Sequence, residues 1–556
     1  MLTKNKTLAI LFLILIFGSA LRLSYLDYNP PSLNWDEVSH GYNAYSILKT
    51  GKDEWGKFFP MVNFRAYGDY PTALNLYLTI PFIAIFGLNE FAIRLPHAFL
   101  GILTIASVYF LVLGLFKNKK IALLASFLAA IEPWYVFTSR FVIQSNLSVF
   151  LLTSCMAMFF NRDKNKYLLP LSLFFLFLTL FSYHSTRIFS PPLLVAILFL
   201  YKREFIVGLA EKRKTFIASA FFVLLFIILL PVIFLNKDAR ARSRYVFLIN
   251  EGSINKIIES RLNSKLPPLL TRLTYNRPTY FIKEFVKNYI DNFSPNFLFL
   301  TGGTQYQFSV PNHGLLYLIN LPFFYLGLIL LLKKVMLKEK NFQFLFIWLL
   351  LSPIPASITN EKFAVLRATT MLPLPQILVS LGFFWILERV KKSYSTLFLS
   401  LYLIILVLSL DNYMFSYFTD YRTNYSWSWQ YGYRQVVDYA KKNYNNYDKI
   451  IVTKEYGEPH EFFLFYWPWD PEEYRNDPNL IRFYQSSWYW VDRFDKFYFV
   501  NDWQVKALVL ESGGSIDCST TDCLLITSPE NVPEGWKKLR TINFLYGKPV
   551  FDIYEN

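Results

Sequence analysis

The sequence predicts a polytopic α-helical membrane protein with a C-terminal α/β domain outside the bilayer. Three observations lead to this fold class. Hydrophobic residues make up 54% of the 556 residues and charged residues only 17%, whereas a soluble domain is about 25% charged. Long apolar runs alternate with short charged joints up to about residue 410. From Asp411 onward these runs stop, and the composition becomes that of a water-soluble domain.

The apolar runs give the number of membrane spans. A run of about 17–25 residues can cross a bilayer. The eleven candidates lie at 7–24, 92–116, 121–138, 146–161, 167–183, 186–201, 215–235, 313–332, 342–358, 368–388 and 394–410. We therefore expect about 11 transmembrane helices in a domain covering 1–410, with long outer loops at 25–91 and 236–312, and a second domain covering 411–556.

Positive charges indicate the orientation of these spans. The chain has 56 Lys+Arg against 40 Asp+Glu, a formal net charge of +16. With the spans above, the cation-rich short joints all fall on one side, at 117–120, 162–166, 202–214, 333–340 and 389–392. This is the positive-inside pattern. It predicts a plasma-membrane protein with a cytoplasmic N-terminus and an extracytoplasmic C-terminal domain, and it explains the basic charge without nucleic acid.

The first apolar run allows two interpretations. Lys4 and Lys6 precede an apolar core that ends near Gly18-Ser19-Ala20, a pattern that a cleaved signal peptide also shows. We expect a retained membrane anchor, because no clear cleavage site followed by a polar stretch is present. The residues after this run face outward under either interpretation.

Paired acids follow the first span, in the segment Asn34-Trp35-Asp36-Glu37. An acceptor hydroxyl becomes a good nucleophile when a carboxylate takes its proton, and a phosphate leaving group needs cations rather than an acid. Asp36 and Glu37 are therefore candidate catalytic residues for sugar transfer. The structural alternative is that Asp36 caps a short helix at 45–50. A second, amphipathic helix at 70–87 is expected to lie in the membrane interface.

Further polar residues collect at the outer ends of the predicted spans. Ionisable residues at this depth are costly and usually functional, although some are snorkelling cations or members of buried ion pairs. The candidate substrate-binding or phosphate-binding residues are His40, Arg65, Arg140, Gln144, His184, Arg187 and Arg367.

Three segments resemble a known superfamily. Asp36-Glu37, the stretch from Leu88 to Pro96, and Pro133-Trp134 followed by Ser139-Arg140 are similar to the membrane-embedded GT-C glycosyltransferases. Protein O-mannosyltransferases and the aminoarabinose transferase of lipid A are the nearest in pattern. The resemblance implies that Asp36 is the base with Glu37 supporting it. It also implies a polyprenyl-phosphate sugar donor and a protein, lipid or glycan acceptor.

The chain departs from that superfamily at two places. Tyr70-Pro71 stands where the aminoarabinose transferases have Lys-Pro, so Arg140, Arg187 or Arg367 would have to contact the phosphate. Gln144-Ser145-Asn146 stands where relatives carry an acid at the start of the fourth span. We therefore expect no cofactor and no metal, with a divalent cation as the open alternative.

The C-terminal part reads as a small α/β domain. A helix is expected at 433–442, with strands at 449–453, 505–510 and 524–527. Cys518 and Cys523 are close enough in sequence to form a local disulfide in an oxidising compartment. No metal set or phosphate-binding loop is evident there.

Two other functions remain open at this stage. A transporter or flippase of lipid-linked saccharides would show repeated halves and polar groups at mid-membrane, whereas the polar residues here cluster at one face. A non-catalytic scaffold would leave the acids of the first loop unexplained. We therefore predict an inverting glycosyltransferase.

Overall fold

The computed structural model describes residues 3–202, 213–236, 246–486 and 488–556. Most of the predicted joint 202–214 and the start of the predicted loop 236–312 lie outside the described residues. The chain forms two compact units. The first comprises Met1–Arg22, Ala98–Ser139 and Ile143–Met414, and the second comprises Leu23–His97, Arg140–Val142 and Phe415–Asn556. The predicted domain boundary at 410 stays a prediction.

The described residues confirm a largely helical membrane protein. Five helices are long and apolar enough to cross a membrane: Lys4–Leu23, Glu90–Phe116, Lys214–Leu235, Leu318–Met336 and Lys392–Asn424. Shorter apolar helices are Leu74–Phe86, Gln144–Phe160, Leu168–Phe181, His184–Leu200 and Leu374–Leu387. The other α-helices of at least six residues in the first unit are Lys119–Ile131, Pro133–Thr138, Glu251–Leu262, Pro268–Thr274, Arg277–Asp291 and Lys340–Leu351. The predicted number of eleven spans stays a prediction.

Two glycines bring helices of the first unit into backbone contact. A Cβ atom at Gly327 would lie 2.0 Å from the carbonyl oxygen of Leu378, and one at Gly382 would lie 2.0 Å from the carbonyl oxygen of Phe323. Helices Leu321–Met336 and Leu374–Leu387 therefore touch along their glycine faces. Small residues serve this purpose between membrane helices, where close packing replaces the hydrophobic driving force.

A seven-stranded mixed sheet organises the C-terminal part of the second unit. Its strands are β1 (Lys449–Thr453), β2 (Ile481–Gln485), β3 (Trp488–Phe494), β4 (Phe497–Val500), β5 (Cys523–Thr527), β6 (Lys537–Asn543) and β7 (Pro549–Glu555). The order across the sheet is β2-β3-β4-β1-β5-β7-β6, with β1 parallel to β4 and β5. The α-helices of this unit with at least six residues are Trp35–Thr50, Leu74–Phe86, Tyr433–Lys442, Pro459–Tyr466 and Pro471–Asn476.

Residues of the first loop share a core with one face of this sheet. Ile450 and Val452 of β1 belong to the same buried cluster as Val38 and Tyr42 of helix Trp35–Thr50. Ile451, which alternates with them, belongs to a smaller cluster on the other face. Because side chains alternate along a strand, one face of the sheet is available to pack against the helix that carries Asp36.

The structure tests several local predictions. The helix at 433–442 and strand 449–453 are confirmed, and strand 524–527 extends by one residue. The strand at 505–510 is wrong: Asp502–Ala507 is a 3-10 helix, which ends where Leu508 turns to a φ of 49°. The helix expected at 45–50 is also longer, because it begins at Trp35. The disulfide between Cys518 and Cys523 is present.

Candidate active site

The start of helix Trp35–Thr50 fixes the two candidate catalytic acids. Asn34 is the N-cap: its side chain accepts a hydrogen bond from the backbone N–H of Glu37 at 2.9 Å. The Glu37 carboxylate in turn accepts from the backbone N–H of Asn34, which completes a capping box. The alternative interpretation, in which Asp36 is the N-cap, is therefore wrong. Asp36 lies in the first turn, where the helix dipole favours a negative charge.

Glu37 is fully buried and surrounded by donors. Arg94 binds it in a bidentate manner, with Nε 2.9 Å from Oε1 and Nη2 2.8 Å from Oε2. The backbone N–H of Val142 donates to Oε1 at 3.0 Å. With Asn34 also donating, both oxygens are occupied. A carboxylate held in this way is positioned to support its surroundings rather than to collect a proton from a substrate.

Arg94 uses its remaining N–H groups on the preceding loop. Nη1 donates to the carbonyl oxygens of Leu26 at 3.1 Å and Pro30 at 3.0 Å, and Nη2 donates to that of Ser32 at 2.6 Å. The guanidinium also lies 5.9 Å from the ring centre of Trp429. The Arg94 side chain therefore fixes the chain that leads into the Asp36 helix.

Asp36 is only half-buried, and its Oδ1 accepts a short hydrogen bond from the hydroxyl of Tyr67. Burial, together with the nearby Asp36 charge, raises the pKa of Tyr67 well above its usual value, so the phenol stays protonated and donates. The Tyr67 ring contacts the rings of Trp35 and Trp488, at centroid distances of 6.4 and 5.1 Å. Asp36 thus has Oδ1 held by Tyr67, whose ring packs against Trp35 and Trp488.

Residues of the C-terminal part contact Trp35 and Tyr67. Gly457 lies against the Trp35 indole, since a Cβ atom there would be 2.3 Å from Cε3. Its φ of 116° is also a conformation that glycine adopts readily. The backbone N–H of Tyr489 donates to the carbonyl of Tyr67 at 2.7 Å. Sequence reasoning missed these residues, because they are remote in sequence from Asp36 and no local pattern links them to it.

His40 and Arg65 are each held by neighbours in the same unit. His40 is 1% exposed, and its Nε2 lies 2.9 Å from the Thr79 hydroxyl. Burial lowers the pKa of His40 to about 3, so the ring is neutral at pH 7. Arg65 lies between two aromatic rings, 5.0 Å from the ring centre of Trp55 and 4.4 Å from that of Tyr489.

Arg140 is fully buried and anchors the end of the first helix. Nη2 donates to the carbonyl oxygens of Ser24, Tyr25 and Asn29, at 2.8, 3.1 and 3.1 Å. Nε donates to the Tyr417 hydroxyl at 3.2 Å. These contacts order the backbone that precedes the Asp36 loop.

Three predicted residues line one cavity in the first unit. His184, Arg187 and Arg367 are among the walls of a pocket of about 170 Å³. Arg187 Nη1 lies 3.2 Å from His184 Nδ1, and Arg187 Nε donates to the carbonyl of Leu180 at 2.8 Å. Because a guanidinium only donates, Nδ1 accepts and Nε2 carries the ring hydrogen. Arg367 forms an ion pair with Glu361. The two arginines and His184 therefore line the same pocket.

Gln144, the last of the predicted binding residues, and the buried acid Glu132 both belong to the first unit. Gln144 is half-buried and begins helix Gln144–Phe160. Glu132 is fully buried and accepts hydrogen bonds from the side-chain amides of Asn320, at 2.7 Å, and Gln376.

Comparisons with known proteins give one family and several structures. The family model described as dolichyl-phosphate-mannose-protein mannosyltransferase matches residues 72–234. The structure is similar to ArnT from Cupriavidus metallidurans in the apo state, with TM-score 0.50 and 9% identity over 98% of this chain and 97% of that one. No curated protein sequence matches the chain significantly.

Two other solved structures are less similar. The oligosaccharyltransferase of Archaeoglobus fulgidus aligns with TM-score 0.47 and 14% identity over 84% of this chain. The present chain spans 64% of the length of that protein. The Pmt1-Pmt2 protein O-mannosyltransferase complex of S. cerevisiae aligns with TM-score 0.31 and 20% identity, over 48% of this chain and 38% of that one. The resemblance stated from the sequence is confirmed by the family match and the shared fold.

Proposed function

We propose that this chain, which belongs to the GT-C superfamily of membrane glycosyltransferases, transfers a sugar from a polyprenyl-phosphate carrier to an acceptor hydroxyl. The observation that carries the proposal is the contrast between the two adjacent acids. Glu37 has donors on both oxygens and is buried, whereas Asp36 is half-buried with Oδ1 oriented by Tyr67. Asp36 is therefore the candidate base, and Glu37 is a positioning residue.

The reaction follows from these roles. Asp36 accepts the proton of the acceptor hydroxyl as its oxygen attacks the anomeric carbon. The new C–O bond forms while the bond from that carbon to the phosphate oxygen breaks, and the electron pair leaves on the carrier phosphate. One displacement inverts the anomeric configuration. The step uses no metal ion, as the departure at 144–146 predicts.

The cavity in the first unit is the candidate phosphate-binding site. Arg187, Arg367 and the imidazole N–H of His184 supply the positive and donating groups that a leaving phosphate needs. Two of these residues, His184 and Arg187, lie within the part that matches the mannosyltransferase family. The family description names dolichyl-phosphate-mannose, so a polyprenyl-phosphate mannose is the first donor to test.

The orientation of the chain in the membrane is part of the same proposal. The charge pattern supports a cytoplasmic N-terminus and a C-terminal part outside the plasma membrane, so we propose that transfer occurs on the outer face. Substrate contacts by His40, Arg65, Arg140 and Gln144 stay predictions.

Transfer by the purified full-length protein tests this function. The protein is given radiolabelled polyprenyl-phosphate sugars, with mannose first and a membrane extract as acceptor, and donor binding is measured separately on the same samples. We expect Asp36→Asn to lower transfer by about a hundredfold or more, because the base is removed, while donor binding is kept. Arg187→Met should weaken donor binding itself.

Matched controls separate chemistry from folding. Asp27→Asn removes an exposed acid of the same loop, and Arg272→Met removes an exposed arginine of the first unit; both should transfer like the wild type. Equal transfer by wild type and folded Asp36→Asn would reject Asp36 as the base. No transfer by the wild type across the donor panel would favour the flippase alternative.

A further inference from the structure

A second group of buried acids in the second unit is distinct from Asp36 and Glu37. Glu54 follows helix Trp35–Thr50, and His460 and Glu461 lie in the first turn of helix Pro459–Tyr466. One side-chain ligand atom from each of these three residues lies within 4.8 Å of the others. All three side chains are nearly inaccessible, with exposures of 0%, 2% and 1%.

Several polar atoms of this group lack hydrogen-bond partners of good geometry. Among the described residues these are both carboxylate oxygens of Glu54, Oε2 of Glu461 and Nδ1 of His460. The carboxyl groups of Glu54 and Glu461 also face each other, close enough to share one proton when no ligand is bound. Buried polar atoms in folded proteins are almost always paired, and each one left unpaired costs about 1–3 kcal/mol. Unpaired atoms that face one another from two separate parts of the chain indicate a missing ligand.

The charges of the surroundings indicate that the ligand is a cation. Glu458 is also buried, and its Oε2 lies 3.5 Å from Nδ1 of His460. Arg482 is the cation that approaches this group, with its Nη2 3.6 Å from Oε1 of Glu54. Lys454 is paired with Asp492 instead. The group thus holds several carboxyl groups against one guanidinium, and a divalent cation bound there would neutralise the carboxylates of Glu54 and Glu461.

We propose that Glu54, His460 and Glu461 bind one Zn²⁺ ion. One imidazole and two carboxylates are donors that Zn²⁺ accepts in proteins, and the imidazole favours a transition metal over Mg²⁺ or Ca²⁺. Asp36 is not one of the three residues, so the proposal does not depend on the transfer reaction.

The ion would connect the first loop to the C-terminal part. These two segments already pack closely, since a Cβ atom at Gly41 would lie 2.4 Å from Cε2 of Phe465. Glu54 is attached to the helix that carries Asp36, and His460 and Glu461 are on the helix that packs against it. Binding would therefore fix that contact and raise the stability of the unit, because a ligand held only by the folded state stabilises it.

Metal content and thermal stability of the full-length protein test the proposal. The protein is purified in detergent, its affinity tag is removed, and it is stripped with chelator and then supplied with ZnCl₂. We expect one zinc ion per chain by mass spectrometry and a rise in Tm that chelator reverses. His460→Gln and Glu461→Gln should each lower the affinity for zinc by at least about tenfold and abolish the rise in Tm.

His313→Gln is the matched control, because it removes a half-buried histidine of the first unit. It should bind zinc like the wild type. Glu461→Gln keeps the side-chain volume, so it supplies the test if His460→Gln does not fold. A wild type that binds no zinc, or His460→Gln and Glu461→Gln proteins that bind one zinc ion with unchanged affinity, would overturn the proposal.

Discussion

Two buried charge clusters in the same compact unit have opposite hydrogen-bonding states. Around Glu37 and Arg94, both carboxylate oxygens have donors, and the guanidinium also reaches three backbone carbonyls. Around Glu54 and Glu461, acceptors outnumber donors. The first cluster is complete and fixes a local geometry. The second is incomplete without a ligand, which shows that burial alone does not tell a structural ion pair from a binding site.

The largest expected effect comes from breaking the complete cluster. Arg94→Met leaves Glu37 buried without its main partner, and such a change typically costs about 3–5 kcal/mol. We expect a large fall in Tm and in the yield of folded protein. Arg434→Met is the control, because Arg434 pairs with Glu90 while its own side chain is 59% exposed. Similar losses for the two variants would show that the Glu37 cluster is not special.

A pair of isosteric changes sharpens the comparison. Glu37→Gln places an amide N–H against Arg94 and removes charge-assisted hydrogen bonds, so it should cost about 1.5–3 kcal/mol with or without zinc. Glu461→Gln removes one of two adjacent carboxylates, so the metal-free protein should lose little stability. Only this second variant should lose the response to zinc. Thermal melts with and without ZnCl₂ measure the stability of each variant and its response to zinc. If Glu37→Gln also lost the zinc response, the two clusters would not differ in the way proposed.

The smallest expected effect on stability concerns His40. This buried histidine lies on helix Trp35–Thr50, as Glu37 does, but it has no charged partner. Its pKa is lowered to about 3 in the folded state by burial, against about 6.5 when unfolded. The unfolded state therefore binds more protons between these values, and stability falls as the pH drops below 6.5. Between pH 7 and pH 5 the loss is up to about 2 kcal/mol.

Replacing the ring tests this pH dependence. Melting curves of wild type and His40→Asn at pH 7, 6 and 5 should show a shallower decline for the variant, whatever its stability at pH 7. Parallel declines would show that other groups carry the acid sensitivity.

Features with a local signal were predictable from the sequence. The short run of β-branched residues in Lys449–Thr453 predicted β1 with its observed bounds, and the amphipathic pattern of Tyr433–Lys442 predicted that helix. His184, Arg187 and Arg367 were singled out individually, and the structure places them around one cavity.

Features that depend on contacts between distant segments were not predictable. Nothing near Tyr67 indicates that its hydroxyl donates to Asp36. Glu54, His460 and Glu461 come from opposite ends of the chain, so no spacing rule for metal ligands could find them. The capping role of Asn34 was missed for a different reason. Asp36 lies only two residues further on, and an Asp is as good an N-cap as an Asn.

The disulfide between Cys518 and Cys523 offers a test of the proposed orientation of the chain. Such bonds form and persist in oxidising compartments and are rare in the reducing cytosol. Of the three cysteines, Cys155 is free and buried. Under the proposed orientation this pair carries no free thiol in the unreduced protein, whereas the opposite orientation would expose it to the reducing cytosol, so counting thiols tests which way the chain is inserted.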